Sequence, residues 1–457
     1  MKCSEVILAT RAAACGVAED FTFSGFTTDS RAVKKGDLFI ALKGETFDGH
    51  DFCAKALAAG AAAVMVAHPV VDLPEGAIVL QVEDTLRAYG AIASYYRDGL
   101  RGLRVFGVTG SNGKTSTKDL LHTCLSVRYR AVKNEGNFNN EIGCPMTLLK
   151  IPAGTEIAVI EMGMSGLGEI ARLCAMAKPE SGIITNVYEN HMELLGSQEN
   201  IARAKAEIVE NLPETGFAVL NRDNAYAMQA AAKTRAQIVT FGLAEDADYR
   251  GSAIEGTFGG TEFTVTEKAT GKSVRVALSL LGEHNVYNAL AAIAGAACYG
   301  VSIEASAEAL AAASVTRGRL DIFEHDGVTV INDTYNASPA STRAAILALA
   351  EGKKAKPGSR AVAVLADMRE LGPVAVESHR AIGAFAAANK LDLVLTYGEM
   401  AAYITEEAER LGLRSVHYAL REEAQAALVK ELRPGDVLLL KGSHSMHVDR
   451  MLEIFRS

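Results

Sequence analysis

Along the chain, short apolar runs alternate with longer amphipathic stretches, and that pattern sets out the elements before any residue chemistry is considered. In the first eighty or so residues, DLFIAL (37–42), AVMVA and AIVLQV read as strands, with the Ala-rich HDFCAKALAAG as the one helix. A helical stretch, EDTLRAYGAIASYYRDGL, covers Glu83 to Leu100 and leads into the apolar run RVFGVTG. Further on, FGVT, IAVIEMG (157–163), SGIITNV (181–187) and FAVLN are separated by helical segments. Continuous rather than alternating apolar runs predict strands buried on both faces, hence a mainly parallel sheet covered by helices. After Phe241 the texture becomes Gly- and Thr-rich alternation, GTFGGTEFTVTEKATGKSVRVALSL, which predicts antiparallel hairpins at one edge of that sheet. A helix, NALAAIAGAACYG, follows. GRLDIFEHDGVTVINDTY predicts two strands around an Asp326-Gly327 turn, and AVAVLADM, DLVLTYG and DVLLLKG, each followed by a helical stretch, continue a second parallel sheet.

The fold class is therefore α/β in three domains: a small N-terminal α/β domain (1–83), a central P-loop ATPase-like domain with a mainly parallel sheet (84–314), and a C-terminal Rossmann-like domain (315–457). A length of 457 residues suits that count. Hydrophobic residues make up 49% and charged residues 22%, enough apolar material for several cores, so wholesale disorder is excluded. With 46 Lys plus Arg against 55 Asp plus Glu the net charge is -9, which disfavours nucleic acid and anionic membranes as partners. Seven scattered cysteines without a CxxC pair form neither a disulfide framework nor a zinc ribbon, and they fit a reducing cytoplasm. The N-terminal apolar run is too short for a secretion signal. The uncharged stretch from Val286 to Ile303 carries Asn288, two Tyr and many Ala, and reads as a packed helix rather than a membrane span.

The strongest chemical signal is Gly107-Val108-Thr109-Gly110-Ser111-Asn112-Gly113-Lys114-Thr115, between an apolar strand and the helical KTSTKDLLHTCL. Glycines in such a loop let backbone N–H groups converge on phosphate oxygens. Lys114 would reach the terminal phosphates, the Thr115 hydroxyl would ligate magnesium, and a nucleoside triphosphate is the natural ligand. The strict pattern asks for glycine at 108, where this chain has Val108, so the match is to the GKT core and its strand–loop–helix context. Glu161 ends the strand IAVIE as a magnesium-directed carboxylate would, although a strand-end glutamate taken alone is more commonly a solvated terminus. His191, in TNVYENHMELLG, reads equally as a ligand or as a satisfied loop histidine. A guanine-reading N/T-K-x-D element is missing from the sequence, which disfavours a GTPase switch. His444 and His447 in KGSHSMHVDR sit three apart without a third nearby ligand, so no zinc is assigned.

At this point the residues resemble the Mur ligase family. The resemblance covers nearly the whole chain: TTDSRAVKKGDLFIALKGETFDGHDF, GVTGSNGKTSTK, NFNNEIGCPMTLL, EMGMSGLGEI, TNVYENHMELLGS with AKAEI, GEHNVYNALAAIA, RGRLDI, INDTYNASPAS, VLADMRELG and KGSHSMHVDR, in family order. It implies an ATP-dependent amide ligase. The strings NDTYNASP and LADMRELG point to the branch that adds D-alanyl-D-alanine to UDP-N-acetylmuramoyl-tripeptide, a monomer acting in peptidoglycan precursor synthesis.

By that resemblance Thr28, Asp29, Ser30, Arg31, Lys43, Gly44 and His50 would hold the uridine end of the substrate. Asn137, Asn139 and Asn140 would lie near the muramoyl and phosphate region, and Tyr335, Asn336 and Ser338 would also contact substrate. Thr109, Gly110, Ser111, Asn112, Gly113, Lys114, Thr115, Ser116, Asn288, Arg319 and Asp333 would bind ATP. Thr115, Glu161 and His191 would ligate Mg2+, with Lys114, His191 and Lys205 in the catalytic set. The lysine matching Lys205 is typically carbamylated in the family, whereas the residues alone would read as a solvated helix lysine. Position 444 is histidine where the family commonly has arginine. Two other readings remain: a sister ligase that adds the third amino acid, and a nucleotide-gated regulatory protein.

Overall fold

The structure, a computed structural model, describes residues 1–44, 46–257, 260–313 and 318–455. Contacts divide it into two compact units: residues 1–107, 130–163 and 168–180 form one, and residues 108–129, 164–167 and 181–457 the other. The expected boundary at 314/315 and Arg317 of the RGRLDI string lie outside the described residues.

The first unit begins with a five-stranded sheet in the order Ala13–Cys15, Val79–Gln81, Ala63–Val66, Leu38–Ile40, Phe26–Thr27, parallel except for its first strand. The period of two is visible in its packing. Leu38, Ile40 and Met65 face a core with Cys3, Val6, Tyr89 and Ile92, while Phe39, Val64 and Val66 face a second core with Cys53 and Ala56. The helix expected from Glu83 runs Thr85–Gly99, because the Asp84 carboxylate accepts the N–H groups of Leu86 and Arg87 at 2.8 and 3.0 Å. One expectation is corrected here. A second helix, Cys3–Thr10, precedes all the strands; it is only eight residues long and buries just Cys3 and Val6, too little for a helical period to stand out. The remainder of this unit pairs Ala131–Lys133 in parallel with Ile157–Glu161, flanked by the helices Gly143–Leu148 and Glu169–Ala177.

In the second unit, Ser181–Ile184, Phe217–Asn221, Gln237–Gly242 and Tyr249–Thr257 are successive parallel neighbours. Tyr249–Thr257 then pairs antiparallel with Gly260–Glu267, and that strand with Ser273–Leu278, so the alternating segment forms hairpins at one edge, as expected. The helix Glu283–Ala297 is buried on nearly every side, consistent with its Ala-rich composition. No helix among the described residues is long and apolar enough to cross a membrane. A six-stranded sheet follows, ordered Asp321–His325, Val328–Asp333, Val437–Lys441, Ala361–Ala366, Leu393–Tyr397, Ser415–Tyr418. Its first two strands form the expected hairpin; Asp326 and Gly327 take φ of 48° and 76°, the left-handed pair a two-residue turn requires. The remaining pairs are parallel, and apolar cores cover both faces.

Two details differ from the sequence reading. Ser415–Tyr418 is a sixth strand, short and at the sheet edge, with too few apolar positions to register. Among the described residues, the chain after Val437–Lys441 forms the 3-10 stretches His444–Met446 and Val448–Phe455, interrupted where His447 turns left-handed at φ 53°.

Candidate active site

The strand Arg104–Thr109 delivers the chain into the glycine-rich loop, and the helix Lys114–Ser126 leaves it. Gly110 (φ 149°) and Gly113 (φ 79°) stand in backbone regions that side chains rarely occupy, and neither has room for one. A Cβ on Gly110 would overlap Thr185 Oγ1, and on Gly113 the Asn288 amide. Several hydrogen bonds hold the loop to the segment after Ser181–Ile184. Ser111 N–H donates to Asn186 O (2.9 Å), Asn112 N–H to Asn186 Oδ1 (2.9 Å) and Thr185 Oγ1 to Asn112 O (2.7 Å). Ser111 Oγ donates to Tyr188 O (3.1 Å) and accepts from Tyr188 N–H (2.9 Å). Lys114 Nζ donates to Gly110 O and Ser111 O at 2.8 and 3.1 Å, so its ammonium stays folded over the loop. Gly113 offers no side chain to cap the helix, which leaves the first-turn amides suited to an anion.

Three residues far along the chain converge on this loop. Asn288 Oδ1 accepts from Thr117 Oγ1 (3.2 Å), and its amide is oriented by Asn285 Oδ1 (3.0 Å). Arg319 Nη2 donates to Thr115 Oγ1 (2.8 Å), with its guanidinium 4.0 Å from the centre of the Tyr335 ring. Arg319 Nε is buried without a hydrogen-bond partner among the described residues. Ser338 Oγ donates to Asn112 Oδ1 at 3.1 Å and also caps the helix Pro339–Ala355. Asp333 is instead engaged by Lys441, Nζ to Oδ2 2.5 Å, and Lys441 also donates to Asn336 O (2.9 Å).

His191, left-handed at φ 59°, lies with Nδ1 2.6 Å from Glu370 Oε2, and Glu370 is left-handed too, at φ 65°. The contact is close, but the ring nitrogen makes no well-formed hydrogen bond. The His191 ring, and to a smaller extent the Lys114 charge, hold the Glu370 carboxyl below its ordinary range. Glu370 was missed in the sequence reading, because nothing in LADMRELG signals a left-handed glutamate.

Lys205, on the helix Gln198–Glu210, is only 2% exposed and has no hydrogen-bond or ion-pair partner among the described residues. The solvated-lysine reading is thereby corrected. Burial first, and then the Lys114 charge, push its ammonium well below the ordinary lysine range, towards the neutral amine.

In the first unit, Glu161 is buried at its strand end. Its carboxylate accepts from Asn139 Nδ2 (2.7 Å) and its N–H donates to Asn134 Oδ1 (2.8 Å).

Family models match three successive stretches: the Mur ligase family catalytic domain over residues 22–97, the Mur ligase middle domain over 108–296, and the Mur ligase glutamate ligase domain over 318–444. A Bacillus subtilis protein named UDP-N-acetylmuramoyl-tripeptide--D-alanyl-D-alanine ligase is 40% identical over 447 residues, 95% of this chain and 93% of that protein. The chain belongs to the Mur ligase family. Among solved structures, a MurF from Acinetobacter baumannii superposes with a TM-score of 0.91 at 30% identity, covering 99% of this chain and 98% of that one. The Thermotoga maritima MurF ligase in complex with ADP gives 0.81 at 29% identity, covering 94% and 96%. The Mur ligase fold, with N-terminal, central and C-terminal domains, is thus shown across the chain.

The other residues implied by the Mur ligase resemblance divide by environment. Asp29 and Arg31 form a bidentate pair at 2.9 and 2.8 Å, which holds the Asp29 carboxyl at about 2, and Arg31 is exposed. Thr28 and Ser30 flank Asp29 and are half-buried. Lys43 and Asp48 face each other in an isolated antiparallel backbone bridge, and Gly44 N–H donates to Phe47 O (2.8 Å). His50 is buried with both ring nitrogens engaged: Nδ1 lies 2.5 Å from Asp48 Oδ1, and Nε2 accepts the Ala67 N–H (2.8 Å). Asn140 Oδ1 accepts from Ile142 and Gly143 N–H at 3.2 and 2.9 Å and so starts the next helix, while Asn137 is exposed. Thr109 and Ser116 are buried in the loop region. His444 stands 6.1 Å, ring to ring, from Tyr335.

Proposed function

We propose that this protein is an ATP-dependent ligase that joins D-alanyl-D-alanine to the terminal carboxylate of UDP-N-acetylmuramoyl-tripeptide, giving the pentapeptide, ADP and phosphate in the cytoplasm. The observation that carries the reading is 40% identity, over 95% of the chain, to a protein of that name. The phosphate loop with its three converging side chains supplies the chemistry such a reaction needs. A carboxylate resists amines because attack would have to expel oxide, so it must first take the γ-phosphoryl group of ATP as an acyl phosphate. That transfer brings two anions together. Lys114 and the first-turn amides of Lys114–Ser126 would hold the nucleotide phosphates, with Arg319 adding positive charge beside Thr115. The dipeptide amine then attacks the acyl carbon, and the tetrahedral intermediate collapses with loss of phosphate.

The family resemblance assigns Mg2+ to Thr115, Glu161 and His191; taken one by one, the Thr115 hydroxyl and the Glu161 carboxylate are buried oxygen donors of the kind a hard cation takes. Mg2+ would neutralise phosphate charge. Lys205 fits carbamylation because its burial favours the neutral amine, whose nitrogen forms a bond to CO2 carbon and then loses one proton to leave a carbamate. The resulting anion would relieve the repulsion from Lys114.

Replacing the dipeptide by hydroxylamine tests the intermediate. The reading expects a hydroxamate of the muramoyl tripeptide, formed one-for-one with ADP and lost in Lys114→Ala. ATP consumption without hydroxamate would contradict it.

A further inference from the structure

Lys441 ends the strand Val437–Lys441 and is only 2% exposed, yet it is not among the residues expected to meet substrate or nucleotide. A buried ammonium is costly unless it is paired and hydrogen-bonded, so its partners show what it holds. The parallel register sets Lys441 directly beside Asp333, the last residue of Val328–Asp333, with both side chains on one face at the carboxyl end of the sheet. Its Nζ donates to Asp333 Oδ2 at 2.5 Å and to Asn336 O at 2.9 Å. One acceptor is at the strand end and the other in the chain that follows it. A single ammonium therefore fixes how the segment 333–338 leaves the sheet.

That segment bears two side chains that face the phosphate loop and its partners. The Tyr335 ring centre lies 4.0 Å from the Arg319 guanidinium, and Arg319 Nη2 donates to Thr115 Oγ1 at 2.8 Å. Tyr335 N–H also donates to the carbonyl of Gly318, the residue before Arg319, at 3.2 Å. Ser338 Oγ donates to Asn112 Oδ1 at 3.1 Å. Tyr335 and Ser338 stand on either side of Asn336, whose carbonyl Lys441 holds. The charges of Lys441 and Asp333 also act on the buried His284, and the next residue, Asn285, orients Asn288 against Thr117. All three side chains that converge on the loop thus connect back to the Lys441–Asp333 pair.

We infer that Lys441 is a positioning residue for ATP: by holding Asp333 and the Asn336 carbonyl it sets Tyr335 and Ser338, and through them Arg319 and Asn112, for the nucleotide phosphates. The inference rests on the ATP-binding part of the reading above. Lys441 acts through Arg319 rather than as a phosphate contact of its own, so its loss lowers nucleotide affinity by loosening the guanidinium, and it should have little further effect once the guanidinium is gone.

The test measures Kd for the magnesium complex of a non-hydrolysable ATP analogue by calorimetry in wild type, Lys441→Met, Arg319→Ala and the double variant. The urea midpoint of each is recorded without nucleotide. Methionine nearly keeps the length of the side chain and removes the ammonium. The expected result is a Kd raised about tenfold by Lys441→Met alone, and by less than about threefold when the same substitution is made in Arg319→Ala. In turnover, KM for ATP should rise in step while kcat at saturating ATP stays within about threefold. A merely structural lysine would shift the urea midpoint and leave Kd unchanged. That outcome, or a rise in Kd repeated in full in the Arg319→Ala background, would overturn the assignment. Lys441→Gln, which loses the charge but keeps a polar donor, takes the place of Lys441→Met if the latter does not fold, with the same expectation. Failure of both variants to fold would show a structural role alone and would also overturn it. Wild type that binds no analogue would instead overturn the ATP reading, and this inference with it.

Discussion

At Gly113 two demands coincide: the backbone turns left-handed at φ 79°, and the Asn288 amide fills the space a side chain would need. Gly113→Ala therefore strains the loop and displaces Asn288 together. The expected cost is about 1–3 kcal/mol of stability for the forced conformation, and KM for ATP should rise at least tenfold, as thermal unfolding and steady-state kinetics would show. His284 gives a pH prediction. Burial holds its imidazole at about 4, with opposing contributions from the charges of Asp333 and Lys441. The folded-state value lies below that of the unfolded chain, so between about pH 6.5 and about 4 the unfolded state binds more protons and stability falls as pH falls. His284→Gln should lose less stability than wild type across that window in urea titrations, and a parallel slope would refute the account. At this scale the sequence was informative where a residue's chemistry is local, as in the GKT core. It was silent on Glu370, whose importance comes from a left-handed turn and from His191 nearly 180 positions earlier.

Between residue and molecule, the helix Pro339–Ala355 shows how one element carries both structure and site. Ser338 Oγ accepts the Ser341 N–H (3.3 Å) to cap it, proline follows at the first position, and the same hydroxyl donates to Asn112 in the phosphate loop. Ser338→Ala should cost about 1 kcal/mol from the lost cap and raise KM for ATP. Ser338→Gly, which costs a helix start only a few tenths of a kcal/mol, should keep the stability and still show the KM effect. Equal KM for Ser338→Gly and wild type would mean that the bond to Asn112 is idle. The cap was legible in the sequence because Ser-Pro is a local signal, and the buried parallel strands were legible because both faces must be apolar. Cys3–Thr10 and Ser415–Tyr418 were not, since an element that buries only two or three side chains leaves too little pattern to read.

For the molecule as a whole, the contacts Arg319 to Thr115 and Ser338 to Asn112 tie the stretch matched by the third family model to that matched by the second. A nucleotide at the loop would thus bind the folded state through residues more than 200 positions apart. At a nucleotide concentration of 100 times Kd the stabilisation should be about 2.7 kcal/mol, visible as a higher Tm. Arg319→Ala should weaken that shift at fixed nucleotide concentration, and an undiminished shift would show that Arg319 does not contribute. The three-part order of the chain was legible because each part carries its own run of motifs. The approach of Arg319 to the loop was expected only through the family resemblance, and the bond from Ser338 to Asn112 was not expected, because both depend on tertiary packing that no local pattern encodes.

The most direct test of the central claim is phosphate release by the purified protein with ATP, magnesium, UDP-N-acetylmuramoyl-tripeptide and D-alanyl-D-alanine, with each component omitted in turn and the product weighed by mass spectrometry. The account predicts release only when all four are present, with the pentapeptide mass appearing in step. Release indifferent to the muramoyl peptide, or supported by a single amino acid in place of the dipeptide, would contradict it.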